Sequence, residues 1–135
     1  MNPLAHIEIN VSNLEKSRDF YLLILSQLKW VISSNEDNSV GFKSPDKTHI
    51  FLRQTEESFL SNIFHRKNTG LNHVAFRVES KEEVEKFGNF LKKNNIPILY
   101  TGETKDYSKE YSMEEYYAVF FQDPDRIKLE VVFMK

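Results

Sequence analysis

Three residues of this chain could together hold a metal ion: His6, His73 and Glu130. Each sits in a run where apolar and polar residues alternate, the pattern of a strand with one face packed and one face open. Over residues 4–11, Ile7, Ile9 and Val11 suit a helix-covered face and leave His6, Glu8 and Asn10 on the other. Over residues 71–78, Val74, Phe76 and Val78 take the covered face, and His73, Ala75 and Arg77 the open one. Near the C-terminus Leu129, Val131 and Phe133 alternate in the same way with Lys128 and Glu130. Two imidazoles and a carboxylate suit Fe(II), Mn(II) or a similar divalent ion and leave coordination positions open for substrate oxygens, as a catalytic site requires. A single strand histidine is more often a hydrogen-bonded rim or core residue. The joint placement favours a shared metal, because an acid at a third inward position would be costly to bury unpaired. The alternative pairs Glu130 with Arg77 or Lys128 and leaves the histidines without metal.

Other residues on the same faces are candidates for supporting roles. Glu8 is two residues from His6 and could act as a general base or lock a ligand in place; its other reading is an ion pair with Arg53 or Arg77. His49, Phe51 and Arg53 share one face of a later strand. Arg53 and Arg77 could bind a substrate carboxylate or phosphate, although strand arginines more often cover a sheet edge. Tyr107 and Tyr111, with Tyr117 at the start of the following strand, could form an aromatic lid over a substrate; a solvated loop anchored by tyrosines is the simpler account. His65, beside Arg66 and Lys67, reads as exposed and unrelated to the metal.

The elements that must position these side chains are set by an internal repeat. The run Leu-Ala-His-Ile-Glu-Ile-Asn-Val at 4–11 returns as Leu-Asn-His-Val-Ala-Phe-Arg-Val at 71–78, an offset of 67 residues between the histidines (6 to 73). Ser12 with Glu15, and Ser80 with Glu83, read as capping boxes that open helices over 13–28 and 81–94. In the first, Phe20, Leu23, Ile24 and Leu28 form the expected core stripe; in the second it is Val84, Phe87 and Leu91. A second echo, Phe42-Lys43-Ser44-Pro45-Asp46-Lys47 against Phe121-Gln122-Asp123-Pro124-Asp125-Arg126, has an offset of 79 (42 to 121). That offset makes Phe51 the counterpart of Glu130. The second copy is therefore 12 residues longer (79 against 67), and the added length falls in the polar stretch 101–115, read as an inserted loop.

Strands are expected over 30–33, 39–43 and 48–54 in the first copy, and over 97–100, 116–122 and 127–134 in the second. The connector 55–70 has room for one or two helical turns and closes at Gly70. The expected class is α+β: two β-α-β-β-β modules (1–54 and 71–135, joined by 55–70) in a single domain. Together they would form an incomplete, mostly antiparallel barrel with helices outside.

Bulk properties agree. Forty per cent of the 135 residues are apolar, and only four each are Gly and Pro, so a packed core rather than disorder is expected. A net charge of −2, with basic and acidic residues interspersed, gives no electrostatic case for nucleic acid or an anionic membrane. The absence of cysteine excludes disulfides, thiolate ligands and a cysteine nucleophile. The first predicted strand begins within a few residues of the N-terminus and no apolar run reaches membrane-spanning length, so the expected location is cytoplasmic.

These residues resemble the vicinal oxygen chelate superfamily, which includes glyoxalase I, bleomycin-resistance proteins, fosfomycin-resistance enzymes, methylmalonyl-CoA epimerase and extradiol dioxygenases. The likeness is carried by 4–11 leading into Ser17-Arg18-Asp19-Phe20-Tyr21, by Gly70-Leu71-Asn72-His73-Val74-Ala75-Phe76, and by 121–130. It covers essentially the entire chain. The resemblance implies paired β-α-β-β-β modules, with metal positions on the first, fifth and eighth strands that fall on His6, His73 and Glu130. It implies one divalent ion (Fe, Mn, Zn, Ni or Co) and a small-molecule substrate chelated through adjacent oxygens, whose developing negative charge the metal stabilises. The activity would be of the lyase or isomerase, transferase or dioxygenase type. The alternative is a non-catalytic small-molecule or antibiotic-binding protein, although such relatives generally lack the triad. It further implies a homodimer.

Two departures stand out. Glyoxalase I and epimerase members generally carry a carboxylate or amide on the fourth strand, where this chain has Phe51, which weakens those two activities. The three-ligand pattern is closer to the dioxygenase and fosfomycin branches, but the late strands lack the histidine that would be the dioxygenase acid-base group, for which His49 could substitute from an unusual location. At Arg126 the family turn usually has glycine, and a left-handed backbone there would cost arginine about 1 kcal/mol.

Overall fold

The structure, a computed structural model, describes residues 2–135, which divide between Ile63 and Phe64 into two compact units. The first runs β1 (His6–Val11), α1 (Leu14–Gln27), β2 (Val31–Asn35), β3 (Ser39–Lys43) and β4 (His49–Gln54), followed by a 3₁₀ turn (Glu57–Phe59). The second runs β5 (His73–Arg77), α2 (Lys81–Lys93), β6 (Lys105–Asp106), α3 (Ser108–Tyr111), β7 (Tyr116–Gln122) and β8 (Lys128–Met134). Each unit has one mixed four-stranded sheet, ordered β1-β4-β3-β2 and β5-β8-β7-β6. The outer pairs β1/β4 and β5/β8 are parallel and the rest antiparallel. The α+β class and the repeated plan expected from the sequence are thus present, and neither sheet closes on itself. Among the described residues no helix is long and apolar enough to cross a membrane.

The alternation that defined the strands also sorts their faces. In β1, Ile9 and Val11 are buried while His6, Glu8 and Asn10 are exposed. In β5, Val74 and Phe76 are buried between His73, Ala75 and Arg77. α1 packs on β2, β3 and β4, and α2 on β7 and β8. The α2 stripe is Val84, Phe87 and Leu91, as expected, with Phe87 5.5 Å from the Phe121 ring. Burial of such side chains stabilises each unit by about 1.5–3 kcal/mol per large residue.

Both helices close in the same way. Lys29 and Asn95 take left-handed backbones, while Trp30 N donates to Leu25 O and Ile96 N donates to Leu91 O, as in a Schellman motif. The two echo turns match as well. In the first, Lys47 N donates to Ser44 O and Ser44 N to Thr48 O; in the second, Arg126 N donates to Asp123 O and Asp123 N to Ile127 O. Lys47 (φ 71°) and Arg126 (φ 66°) both occupy the left-handed region, so the arginine does stand where glycine would be unstrained.

Several expectations need correcting. The cap of α1 is Asn13, whose side chain accepts from Lys16 N, not Ser12; the 67-residue offset indeed places Asn13, not Ser12, opposite Ser80. Ser80 does cap α2, and Glu83 reaches back to Glu79 N. The α1 stripe is Leu14, Ser17, Tyr21, Ile24 and Leu25, while Leu23 is 40% exposed. The strand expected at 30–33 lies at Val31–Asn35. No strand forms at 97–100: Pro97 has no N–H to offer, and Tyr100 turns left-handed (φ 67°), so only Leu99 N reaches β7, at Phe120 O. The short β6 replaces it within the inserted stretch, which also holds α3 and so is not a plain loop.

Candidate functional site

Residues paired across a sheet point to the same side. In the second unit the register couples His73 with Lys128, Ala75 with Glu130, Phe120 with Glu130 and Gln122 with Lys128. His73, Lys128, Glu130, Phe120 and Tyr116 therefore share the sheet face opposite α2. The far end of that face is sealed by Tyr107, Ala118, Val132 and the packed Leu99 and Met134. The near end carries the ionisable groups.

Glu130 is fully buried. Its Oε1 accepts a 2.6 Å hydrogen bond from the Tyr116 hydroxyl. Its Oε2 has no partner of ideal hydrogen-bond geometry, and His73 Nε2 lies 3.1 Å away, near enough to donate to it when the ring is protonated there. The opposite nitrogen of that ring, Nδ1, is 2.6 Å from Asn72 Oδ1, an atom that can only accept. If Nδ1 donates to that oxygen, a ring with one proton turns the lone pair of Nε2 toward the carboxylate, whereas a ring with two protons donates from Nε2 to it. Two acceptors aimed at one another in a buried place require something positive between them, a proton or a metal ion. A separation of 3.1 Å suits two adjacent donors of a single divalent ion, each at about 2.1 Å. Burial pushes the Glu130 carboxyl above the ordinary carboxylate range, opposed by the Tyr116 hydroxyl and by the charges of His73 and Lys128. Burial, and then the bond to Glu130, push the Tyr116 phenol upward.

The inserted stretch brings its tyrosines to this face as anchors. Tyr107 is buried, its N donating to Tyr116 O and its ring 5.2 Å from Phe120. Tyr111 lies over Tyr116 at 4.6 Å and is 45% exposed. Tyr117 points the other way: its hydroxyl bonds Glu85 on α2, on the covered face. Arg77 is exposed at the far end of β5.

In the first unit, β1 and β4 pair His6 with His49, Glu8 with Phe51 and Asn10 with Arg53. The Phe51 ring meets His6 edge-on at 5.7 Å and stacks parallel to His49 at 5.6 Å. It lies over Gly41, where an added Cβ would come within 2.8 Å of it. Glu8 is tied to Arg53 at 2.6 Å, the ion pair named as its alternative role. Within neither unit do three His, Asp or Glu side chains gather closely enough, among the described residues, to hold a metal unaided.

Sequence reasoning missed Tyr116 and Asn72 as partners of the glutamate and the histidine. Tyr116 alternates in phase with Ala118 and Phe120, so its face could be read from the sequence; its register opposite β8 could not. Asn72 left no signal beyond its adjacency to His73.

The sequence profile of the Glyoxalase/Bleomycin resistance protein/Dioxygenase superfamily matches residues 4–131. The uncharacterized protein YqjT of Bacillus subtilis (strain 168) is 36% identical over 129 residues, 96% of this chain and 97% of its own. A solved structure from Bacillus halodurans, given as a candidate glyoxalase, is 38% identical with a TM-score of 0.82, covering 96% of this chain and 94% of its own. A genomically encoded fosfomycin resistance protein from Listeria monocytogenes shares the fold at 17% identity, with a TM-score of 0.68 over 98% of this chain and 93% of its own. From the repeated sheets through the family match to these relatives, the chain belongs to the Glyoxalase/Bleomycin resistance protein/Dioxygenase superfamily.

Proposed function

We propose that the protein is a divalent-metal-dependent enzyme acting on a small molecule that chelates the ion through neighbouring oxygens. One observation supports this reading: His73 Nε2 and the buried Glu130 Oε2, an oxygen with no other partner, face each other at 3.1 Å. These two side chains would hold the ion in the second unit, and the sequence repeat assigns His6 of the first unit as the third ligand. When bound, such an ion stabilises negative charge developing on a substrate oxygen.

The chain's own residues prepare for that role. Asn72 fixes the His73 tautomer by accepting from Nδ1, which leaves Nε2 free to ligate. Tyr116 occupies Oε1 of Glu130 and so assigns Oε2 to the ion. Phe51, the repeat counterpart of Glu130, has no atom that can ligate a metal, so the first copy would contribute no carboxylate to the ion. The Glu8–Arg53 pair engages Glu8 and makes it a weaker candidate for a base than its position alone suggests.

Metal analysis of anaerobically purified protein, wild type beside His73→Ala, tests the proposal. Near-stoichiometric divalent metal in the wild type, lost in the variant, is the expected result. A metal-free wild type that still binds planar aromatic ligands would instead support a sequestering, non-catalytic protein.

A further inference from the structure

Lys128 is the other charged residue buried on the site face, 6% exposed and two residues from Glu130 on β8. An ammonium has three N–H donors and no acceptor, and a buried charge is normally paired. Among the described residues its Nζ forms no ion pair within 4.0 Å, and its charge reaches Glu130 only at longer range. The ammonium lies over aromatic faces instead, 4.4 Å from the centre of Phe120 and 5.0 Å from that of Tyr100. Cation–π contact offsets part of the desolvation of a charge but satisfies none of its donors. Tyr100 reaches this position on a left-handed backbone and is 63% exposed, so the slot has one wall in the core and one toward solvent.

Charge points the same way. Resting on the metal reading above, a divalent ion at His73 and Glu130 together with Lys128 leaves the face at about +2, since Glu130 supplies the sole negative charge among those groups. A neutral chelator would leave the ammonium unpaired. We infer that Lys128 is a specificity residue: its Nζ binds an oxyanion of the substrate, a carboxylate or a phospho group, carried next to the chelating oxygens. Contact with the Phe120 and Tyr100 rings already restricts the lysine, so less side-chain freedom is lost when the anion arrives.

Three probes with the same chelating end separate this role from a structural one. Acetohydroxamate carries no further charge, malonohydroxamate adds a carboxylate and phosphonoacetohydroxamate adds a phosphonate. Titrated into Mn(II)-loaded wild type by calorimetry, at least one charged probe should bind ten-fold or more tightly than acetohydroxamate, and whichever gains more identifies the oxyanion. Lys128→Met should erase that advantage while leaving acetohydroxamate binding unchanged, and Lys128→Arg should retain most of it. The inference is overturned if charged probes gain nothing in the wild type, or if Lys128→Met weakens all three equally, which would mean that the lysine acts only through Glu130. Mn(II) uptake is measured first by electron paramagnetic resonance. If none binds, the metal reading fails by itself, and the comparison moves to methylphosphonate and acetate with metal-free protein. Tighter binding by wild type than by Lys128→Met would then uphold the lysine's role, and equal or absent binding would refute it.

Discussion

At the scale of single residues, Glu130 is the point of tension. Its carboxyl is buried, raised above its ordinary range, and satisfied on one oxygen only. A carboxyl whose pKa is higher folded than unfolded contributes stability below its unfolded pKa, near the ordinary glutamate value of 4.5, and loses it as pH rises through the folded value. In EDTA-treated protein, Glu130→Gln removes the buried charge, so urea unfolding should show the variant gaining on wild type as pH goes from 4 to 8. A stability difference independent of pH would contradict this assignment. With metal present the order reverses, because the amide is a poor ligand. Tyr116→Phe frees Oε1 and should weaken metal binding about 10–100-fold, the range typical of a lost partner behind a ligand, while His73 stays in place. The histidine and glutamate were legible in the sequence because strand alternation assigns faces. Their partners were not, because hydrogen bonds such as that from Tyr116 depend on register between strands distant in the chain.

At the scale of elements, the two echo turns were legible as a repeat, with the left-handed backbone raised only at Arg126 through the family's usual glycine, whereas the fold of the inserted stretch was not legible. Ser-Pro-Asp-Lys and Asp-Pro-Asp-Arg form the same turn, with the last residue left-handed in both. Lys47→Gly and Arg126→Gly each relieve that backbone and should stabilise the protein by about 0.5–1 kcal/mol, less whatever glycine returns to the unfolded chain as entropy. Because the turns lie in different units, the double variant should be additive within about 0.5 kcal/mol in denaturant unfolding. By contrast, the residues at 97–100 carry strand-like apolar character but cannot extend through Tyr100. Gly41 gives a sharper case. A methyl there would meet the Phe51 ring at 2.8 Å and Ser34 Oγ at 2.5 Å. Gly41→Ala should therefore cost about 1–3 kcal/mol. Adding Phe51→Leu should recover part of that loss, whereas an equal penalty in both backgrounds would show that the ring is not what glycine accommodates.

At the scale of the whole chain, the repeat has an asymmetric chemical outcome. The same β-α-β-β-β plan places a histidine first in both copies, but the last strand carries Phe51 in one and Glu130 at the matching position in the other. Among the described residues, only the second unit therefore carries a histidine facing a carboxylate, and neither unit gathers three ligands by itself. If the native protein binds one ion through ligands drawn from both copies, metal should stabilise folding as a linked equilibrium, by about 2.7 kcal/mol at a free metal concentration one hundred times Kd. His49 supplies a stringent control, since it is the Cα partner of His6 on the neighbouring strand and lies on the same face. Thermal unfolding with saturating Mn(II) should show a raised midpoint for wild type and for His49→Ala. His6→Ala, His73→Ala and Glu130→Ala should each lose most of that rise while their metal-free midpoints show no comparable shared loss. A full metal-induced rise in His6→Ala would mean that the second unit binds the ion without the first, and the repeat would then be a feature of folding rather than of the metal site.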